Sequence, residues 1–139
     1  MDLSILIVTY NSAAYIDGLL RQIRAEMRQD DFHYHVEVLV VDNGSRDNTV
    51  ALVRDLHPWV RLIPNTQNLG FAAGNNLAAR HAEGRNLMLL NPDAMPAPGA
   101  LHKAIARMDI HKDIGLAGGE LRNQHGEHEP SARMFPTLR

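Results

Sequence analysis

The feature that most constrains the fold of this chain is the alternation of short apolar runs with segments of helical periodicity. Four apolar runs have the length of strands covered on both faces, which predicts β-strands. They lie at residues 3–8, 36–41, 60–63 and 86–90. The segments between them repeat apolar residues with the spacing of one helical face. This alternation predicts an α/β domain with a mostly parallel sheet and helices on both faces.

Turn and capping residues predict where several of these elements end. Ser12 and Asp47 are expected to cap the first two helices, because both residue types accept hydrogen bonds from free N–H groups at helix starts. Gly84 is expected to end the third helix. Ile114–Ala117 is expected to form a fifth strand. Beyond residue 118 the periodicity is weak, which predicts a hairpin or loop followed by an extended segment.

The composition excludes several classes of protein. The 139 residues suffice for one domain with a real core. The chain has no cysteine, which excludes disulfides and thiolate metal sites. Its 14 basic and 16 acidic residues are well mixed, so nucleic acid is not an expected partner. The apolar opening at residues 3–8 is too short to span a bilayer, and we expect a soluble, cytoplasmic chain without a transmembrane segment.

Two aspartates are the strongest candidates for a functional site. The sequence lacks GxGxxG, GxxxxGK[ST], GxSxG and HExxH, so the usual dinucleotide, phosphate-loop and hydrolase signatures are absent. Asp42 and Asp93 each follow a predicted strand closely. Because the carboxyl ends of parallel strands meet at one edge of a sheet, both acids are expected to face one crevice.

Asp42 allows two interpretations. Its carboxylate can accept hydrogen bonds from a ribose hydroxyl or from the imide N–H of a uracil or thymine ring. Alternatively it forms an Asx turn and satisfies only local backbone N–H groups, since Asp-Asn-Gly is common turn chemistry. The residue on its own favours the turn.

Asp93 lies in a more specific context, Asn91-Pro92-Asp93. Proline fixes its own φ and can direct the following carboxylate, which would suit Mg²⁺ or Mn²⁺. The same three residues also suit a type I turn. A single carboxylate makes a poor metal site by itself, so a cation here would need substrate phosphates to complete its coordination.

The segment at residues 68–76, NLGFAAGNN, is the third signal. Its glycines permit close backbone approach, and the helix that follows presents N–H groups and a positive dipole end to an anion. A nucleotide could lie against it. Alternatively, the glycines serve only to let the start of the helix pack closely on the sheet, and this explains the segment equally well.

Taken in order, five blocks resemble the family 2 glycosyltransferases, and in particular their rhamnosyltransferase-like branch. The blocks are VTYNS at 8–12, VVDNGSRDNT at 40–49, NLGFAAGNN at 68–76, LLNPDA at 89–94 and SARMFPTL at 131–138. The resemblance implies the nucleotide-binding half of a glycosyltransferase-A (Rossmann-like) fold. It places a nucleotide-sugar-binding domain at residues 1–119 and the start of an acceptor-binding region at residues 120–139.

The resemblance also implies the residues of a donor site. Asp93 would be the acid linked to a divalent cation, with Asn91 in place of the first acid of the metal motif found in many relatives. Arg80 would assist the diphosphate. The complete set implied for donor binding is Thr9, Tyr10, Asn11, Asp42, Asn43, Asn68, Gly70, Phe71, Gly74, Asn75, Arg80, Asn91 and Asp93.

The reaction implied by the resemblance is transfer of a sugar from a nucleoside diphosphate sugar to a saccharide or lipid-linked acceptor, with inversion at the anomeric carbon. The first candidate donor is thymidine diphosphate rhamnose, and uridine diphosphate sugars come next. The family's general base lies further along the chain, so the isolated chain is expected to be inactive or nearly so. The complete enzyme is expected to associate peripherally with the inner face of the membrane.

Two other functions are alternatives to this one. A non-catalytic nucleotide-binding or interaction module with the same fold would bind nucleotide without depending on Asp93 or metal. Sugar nucleotidyltransferases share a related architecture but normally carry a glycine-rich, arginine-containing loop after the first strand. Residues 9–12 hold Thr-Tyr-Asn-Ser at that place, which disfavours this class.

Overall fold

The computed structural model describes residues 1–123 and 125–129. In chain order the elements are β1 (Leu3–Thr9), α1 (Ile16–Glu26), β2 (Val36–Asp42), α2 (Thr49–Leu56), β3 (Arg61–Pro64), α3 (Phe71–His81), β4 (Asn86–Leu90), α4 (Ala100–Ile110), β5 (Leu121–Arg122) and β6 (His128–Glu129). The four apolar runs form the strands β1 to β4, and the segments between them form helices, with ends shifted by a few residues from those predicted. Where a hairpin or loop is expected, β5 and β6 pair antiparallel. The expected extended segment at 130–139 lies outside the described residues.

The main sheet is parallel and has the strand order β3-β2-β1-β4. β1 lies at its centre, between β2 and β4. The chain steps from β1 to β2 and β3 on one side and then returns to β4 on the other side. Such a reversal of strand order opens a crevice at the carboxyl ends of the strands. The fold therefore places the loops after β1 and β4 at the mouth of one crevice.

Helices cover both faces of this sheet, as the sequence predicts. On one face, α1, α2 and α4 bury the apolar side chains of alternate strand residues, such as Ile5 and Val40. On the other face, α3 packs through Ala78 against Leu6 and Leu39. Side chains alternate between the two faces of a strand, so continuous apolar runs are needed where both faces are covered.

β4 is less well covered than the other long strands. Met88 and Leu90 pack against the core below α1 and α4. Leu87 and Leu89 point to the other face, where they are 48% and 55% exposed. α3 lies over β1 and β2 and does not extend across β4. Among the described residues β4 is thus an edge strand with two leucines open to solvent.

α1 also holds the chain segment that follows β4. The buried carboxylate of Glu26 accepts hydrogen bonds from the N–H groups of Leu101 and His102, at 2.9 and 3.1 Å. It therefore caps α4, whose own N-cap residue is a glycine. The Gln22 side chain donates to the carbonyl of Pro96 in the same segment. These contacts fix the far side of the turn that contains Asp93.

The expected fifth strand is wrong. Residues 114–117 form no strand, and Leu116 is almost fully exposed. This segment has three apolar residues interrupted by Gly115, and two more glycines follow it. A strand forms only where its backbone groups pair with a neighbouring strand, and residues 114–117 have no such partner.

The expected helix ends need two corrections. α1 begins at Ile16 rather than near Ser12, because the Ser12 carbonyl accepts hydrogen bonds from Tyr15 and Ile16 in a turn that precedes the helix. Gly84 does not end α3, which stops at His81. Instead, Gly84 lies directly against Ser4 in β1, where its N–H donates to the Ser4 hydroxyl. The glycine is needed for this close approach rather than for a helix cap.

Replacing Gly84 by alanine should destabilise the fold. The new Cβ would lie 2.6 Å from the Ser4 hydroxyl oxygen and 2.7 Å from the Leu3 carbonyl carbon, so backbone would have to move. We expect Gly84→Ala to lower the free energy of unfolding by about 1–3 kcal/mol, measured by urea denaturation. Gly18→Ala is the matched control: Gly18 lies in α1 with open space around it, and this change should raise stability by roughly 0.5 kcal/mol. Equal stability of the two variants would contradict this account.

Candidate functional site

A cavity of about 310 Å³ opens at the carboxyl edge of the sheet, where the sequence predicts a site. It is bounded by the ends of β1 and β2, the loop before α3 and the turn after β4. Its lining residues are Val8, Thr9, Tyr10, Ser12, Asn43, Asn68, Gly70, Phe71 and Pro92. The structure therefore brings six of the predicted site residues together around one space.

Asp42 lies behind this cavity and does not line it. Its carboxylate is buried and accepts four hydrogen bonds: from the hydroxyls of Thr9 (3.0 Å) and Ser45 (2.5 Å), and from the N–H groups of Gly44 (3.1 Å) and Ser45 (2.9 Å). A carboxylate offers about four lone-pair positions, so this one is saturated. The hydrogen bonds from the Gly44 and Ser45 N–H groups form the Asx turn that the sequence allows.

Asn43 connects the end of β2 to the start of α3. Its side-chain N–H donates to the Gly70 carbonyl at 3.1 Å, and its side-chain oxygen accepts from Asn65 at 3.2 Å. Its backbone N–H donates to the Thr9 carbonyl. Asn43 thus ties three walls of the cavity together while lining it.

The start of α3 has a backbone that requires glycine. Gly70 has φ 81° and ψ 170°, a conformation nearly restricted to glycine, and its N–H donates to the Asn68 side chain at 2.8 Å. Gly74 serves a different purpose, because a Cβ there would lie 2.8 Å from the Val8 side chain. Together these residues bring α3 close to β1 and direct its first turn towards the cavity. Phe71, the first residue of α3, is 57% exposed.

The turn after β4 brings Asn91 and Asp93 to the rim of the cavity. The Ala94 N–H donates to the Asn91 carbonyl, so these residues form a turn, as the sequence allows. Pro92 lines the cavity, and its two neighbours are exposed beside it. The described part of the chain offers the Asp93 carboxylate no hydrogen-bond partner. It also contains no group of three or more His, Cys, Asp or Glu side chains that could hold a metal ion.

Three more predicted site residues do not line the cavity. Arg80 is in the last turn of α3, about 13 Å of helix rise beyond Phe71, and its guanidinium donates to the carbonyl of Asn76. Its predicted assistance to a diphosphate is therefore not supported by its place in the fold. Asn75 is buried and donates to the Phe71 carbonyl within the helix. Asn11 lies outside the lining and contacts the loop after β2.

Three lining residues were not predicted as site residues: Val8, Ser12 and Pro92. Ser12 has the sequence signal of a helix cap, and Val8 has that of a buried strand residue. Pro92 had the clearest signal, since it lies between two residues that were predicted.

Two loops at the cavity are joined by hydrogen bonds that we call the loop clamp, between residues 11–13 and residues 45–49. Three successive N–H groups of the first loop donate to side chains of the second: Asn11 to Ser45 (2.8 Å), Ser12 to Thr49 (2.8 Å) and Ala13 to Asp47 (3.1 Å). In return, the Arg46 N–H donates to the Asn11 side-chain oxygen at 2.8 Å. The two sequence blocks therefore fold as one unit.

Asp47 also binds the start of α2, as predicted, although from one residue before the N-cap. It accepts hydrogen bonds from the Thr49 hydroxyl and N–H. Desolvation opposes ionisation of this carboxyl, but the hydrogen bonds from Thr49 and Ala13 outweigh it, and the pKa of Asp47 lies below its usual range.

The charges around the cavity suit an anionic ligand inside it and a cation at its rim. Among the described residues, none of those that line it is charged. The first turn of α3 carries no acidic residue, so its N–H groups and the positive end of its dipole face the cavity uncompensated. An anion could therefore bind at this helix start, while Asp93 offers a carboxylate to a cation at the rim.

Acid should remove the stabilisation that Asp47 provides. A lowered pKa in the folded state means that this stabilisation is complete above the unfolded pKa, about 3.9, and is lost as pH falls through the folded value. We expect Asp47→Asn to be less stable than the wild type at pH 6, with the difference shrinking between about pH 4 and pH 2. Denaturant unfolding of both proteins at each pH measures this difference in the free energy of unfolding. A difference that stays constant with pH would contradict the prediction.

Asp42 and Asp93 should differ sharply in their effect on stability. Asp42→Ala leaves the buried Thr9 hydroxyl and the partly buried Ser45 donors without an acceptor, so we expect a loss of about 2–3 kcal/mol. Asp93→Ala removes an exposed side chain without a partner and should change stability by less than about 0.5 kcal/mol. Thermal and denaturant unfolding of both variants test this. A large loss for Asp93→Ala would show a structural role that the geometry does not provide.

Comparison with known proteins gives a consistent result. Residues 4–136 match the family model described as glycosyl transferase family 2. The N-acetylglucosaminyl-diphospho-decaprenol L-rhamnosyltransferase of Mycobacterium tuberculosis is 28% identical over 147 residues, covering 98% of this chain and 46% of the relative. The chain thus spans about half the length of that relative.

Two solved structures resemble the fold. Staphylococcus aureus TarS 1–349, crystallised with UDP, is 30% identical with a TM-score of 0.70, covering 81% of this chain and 33% of TarS. A mannosyltransferase from Pyrobaculum calidifontis, in complex with GDP-Man and Mn²⁺, is 32% identical with a TM-score of 0.66, covering 76% of this chain and 32% of the other. These likenesses confirm the expected glycosyltransferase-A fold.

No helix in the described part of the chain is long and apolar enough to cross a membrane. The family model, the ordered sequence blocks and the parallel sheet with its cavity at the carboxyl edge all agree, and the chain belongs to glycosyl transferase family 2.

Proposed function

We propose that this chain is the donor-binding part of an inverting glycosyltransferase. The observation that carries the proposal is the uncharged cavity at the carboxyl edge of the sheet, bounded by the start of α3 and by the Asn91–Asp93 turn. It has the place in the fold where open α/β sheets bind ligands. Relatives with this fold were crystallised with UDP, UDP-GlcNAc and GDP-Man.

In this proposal the nucleoside of the donor lies against the side chains that remain open in the cavity. Tyr10 and Phe71 are half exposed, whereas Thr9 and Asn43 are buried and engaged in hydrogen bonds within the protein. Aromatic faces can stack on a base. The diphosphate would lie towards the first turn of α3, whose N–H groups suit an anion.

A divalent cation, Mg²⁺ or Mn²⁺, fits the residues at the rim only with help from the substrate. Asp93 supplies one carboxylate and Asn91 one neutral amide oxygen, and both are exposed. Mg²⁺ commonly binds through one or two carboxylates plus substrate phosphates. These two residues would hold the cation, and when bound it stabilises negative charge on the leaving diphosphate.

The transfer forms one bond and breaks another at the anomeric carbon. The acceptor hydroxyl attacks from the side opposite the diphosphate, so the bond from the anomeric carbon to the diphosphate oxygen breaks and the configuration inverts. The nucleoside diphosphate leaves, and the hydroxyl proton passes to a general base. No acidic or histidine side chain lines the cavity among the described residues, so this base is assigned to a part of the enzyme beyond the cavity.

Rhamnose is the sugar we propose first, with a saccharide or lipid-linked acceptor. The mycobacterial relative is named for L-rhamnose transfer to a decaprenol-linked acceptor, and TarS for N-acetylglucosamine transfer to poly(ribitol phosphate). Both names suggest cell wall or polysaccharide biosynthesis. Thymidine diphosphate rhamnose is thus the first candidate donor, and uridine diphosphate sugars are next. We place the complete enzyme in the cytoplasm, associated peripherally with the inner face of the membrane.

Calorimetric titration with dTDP and UDP, with and without Mn²⁺, tests the proposal. We expect binding that Mn²⁺ strengthens, and we expect Asp93→Ala to lose roughly tenfold or more in affinity in the presence of Mn²⁺. Asp55→Ala is the matched control, because Asp55 is an exposed acid on α2, which does not line the cavity. It should bind as the wild type does.

Two outcomes would count against the proposal. Nucleotide affinity that depends on neither Mn²⁺ nor Asp93 would favour the non-catalytic nucleotide-binding module. If the chain bound neither nucleotide, the proposed donor site in this chain would be contradicted. Comparing dTDP with UDP ranks the two candidate bases of the donor.

A further inference from the structure

We infer that Asn11 is a positioning residue: it fixes the direction of Tyr10 at the cavity through the loop clamp and does not contact the nucleotide. The inference rests on the proposed function, because Tyr10 is taken to meet the donor. Asn11 is absent from the cavity lining, whereas Tyr10 belongs to it and is 49% exposed.

The backbone of Asn11 has an uncommon conformation. Its φ is 50°, and among the described residues it is the one non-glycine residue with a positive φ. Such a conformation persists only where the surroundings determine it. Asparagine tolerates it better than most residues because its short polar side chain can hydrogen-bond locally.

The surroundings that determine it are the loop after β2. The Asn11 N–H donates to the Ser45 hydroxyl oxygen, and the Asn11 side-chain oxygen accepts from the Arg46 N–H, both at 2.8 Å. Ser45 in turn donates to the buried Asp42, which also receives the Thr9 hydroxyl. The hydrogen bonds therefore run from the end of β1, through the turn after β2, and back to the residue that follows Tyr10.

Few other contacts orient the Tyr10 ring. Its backbone N–H donates to the Ser12 hydroxyl at 3.2 Å. Its own hydroxyl has no hydrogen-bond partner within the described part of the chain. The direction of the ring is therefore set by the backbone on either side of it, and Asn11 is the adjacent residue with a fixed, uncommon φ.

Three substitutions at Asn11 separate its backbone role from its side-chain role. Aspartate keeps the acceptor oxygen and tolerates a positive φ, glycine keeps only the backbone freedom, and alanine keeps neither. We expect dTDP or UDP affinity to fall in the order wild type and Asn11→Asp, then Asn11→Gly, then Asn11→Ala, with roughly a fivefold to tenfold loss for alanine. Asn48→Ala is the control, since Asn48 is exposed in the same loop and its side chain makes no cap hydrogen bond.

A double-mutant cycle with Tyr10 tests whether Asn11 acts through that ring. In a Tyr10→Ala background, Asn11→Ala should change nucleotide affinity no further, because the ring that it positions is gone. If Asn11 contacted the nucleotide itself, the two losses would add, and Asn11→Asp would bind the anionic ligand worse than the wild type. Either result would overturn the inference.

Fluorine NMR of the chain labelled with 3-fluorotyrosine gives a readout that needs no ligand. We expect the Tyr10 resonance to shift or split in Asn11→Ala, and to stay unchanged in Asn11→Asp and Asn48→Ala, with Tyr15 and Tyr34 unaffected. An unchanged Tyr10 resonance in folded Asn11→Ala would overturn the inference. A wild-type chain that binds neither nucleotide would count against the proposed function, while this spectrum still decides the role of Asn11.

Discussion

The buried carboxylate of Asp42 is the interaction on which the functional edge of this structure depends. β1 and β2 end side by side at the pair Thr9 and Asp42, and the Asp42 carboxylate is buried between the loops that follow them. A charged group there must have its hydrogen bonds satisfied, because an unmet one is costly away from water. The donors come from Thr9, Gly44 and Ser45, so the path of the turn after β2 is fixed by this requirement.

That turn then determines the loop after β1. The Ser45 oxygen that donates to Asp42 also accepts the N–H of Asn11, and Asp47 and Thr49 receive the next two N–H groups that need partners. Hydrogen bonds thus hold the two polar loops against each other. Such preorganisation suits a site that must present aromatic rings without rearranging when a ligand arrives.

Close packing places the other wall of the cavity. Gly74 lets α3 approach β1 until its backbone meets the Val8 side chain, and Gly84 lets the chain after α3 return tightly to Ser4. Gly70 turns the backbone so that the first turn of α3 faces the cavity. Asn43 joins this helix start to the end of β2. Gly70, Gly74 and Asn43 together therefore place the start of α3 beside the cavity.

Periodicity and turn chemistry in the sequence by themselves determined the order of strands and helices, the parallel sheet and the edge at which the site lies, because these depend on local propensity and burial. The family was identified in a different way, by the resemblance of five ordered sequence blocks to family 2 glycosyltransferases. Only the tertiary structure showed which donors the Asp42 carboxylate accepts, that Arg80 and Asn11 do not line the cavity, and that residues 114–117 form no strand. A carboxylate, an arginine and an apolar run have no fixed role until their partners are in place, and those partners come from segments far away in the chain.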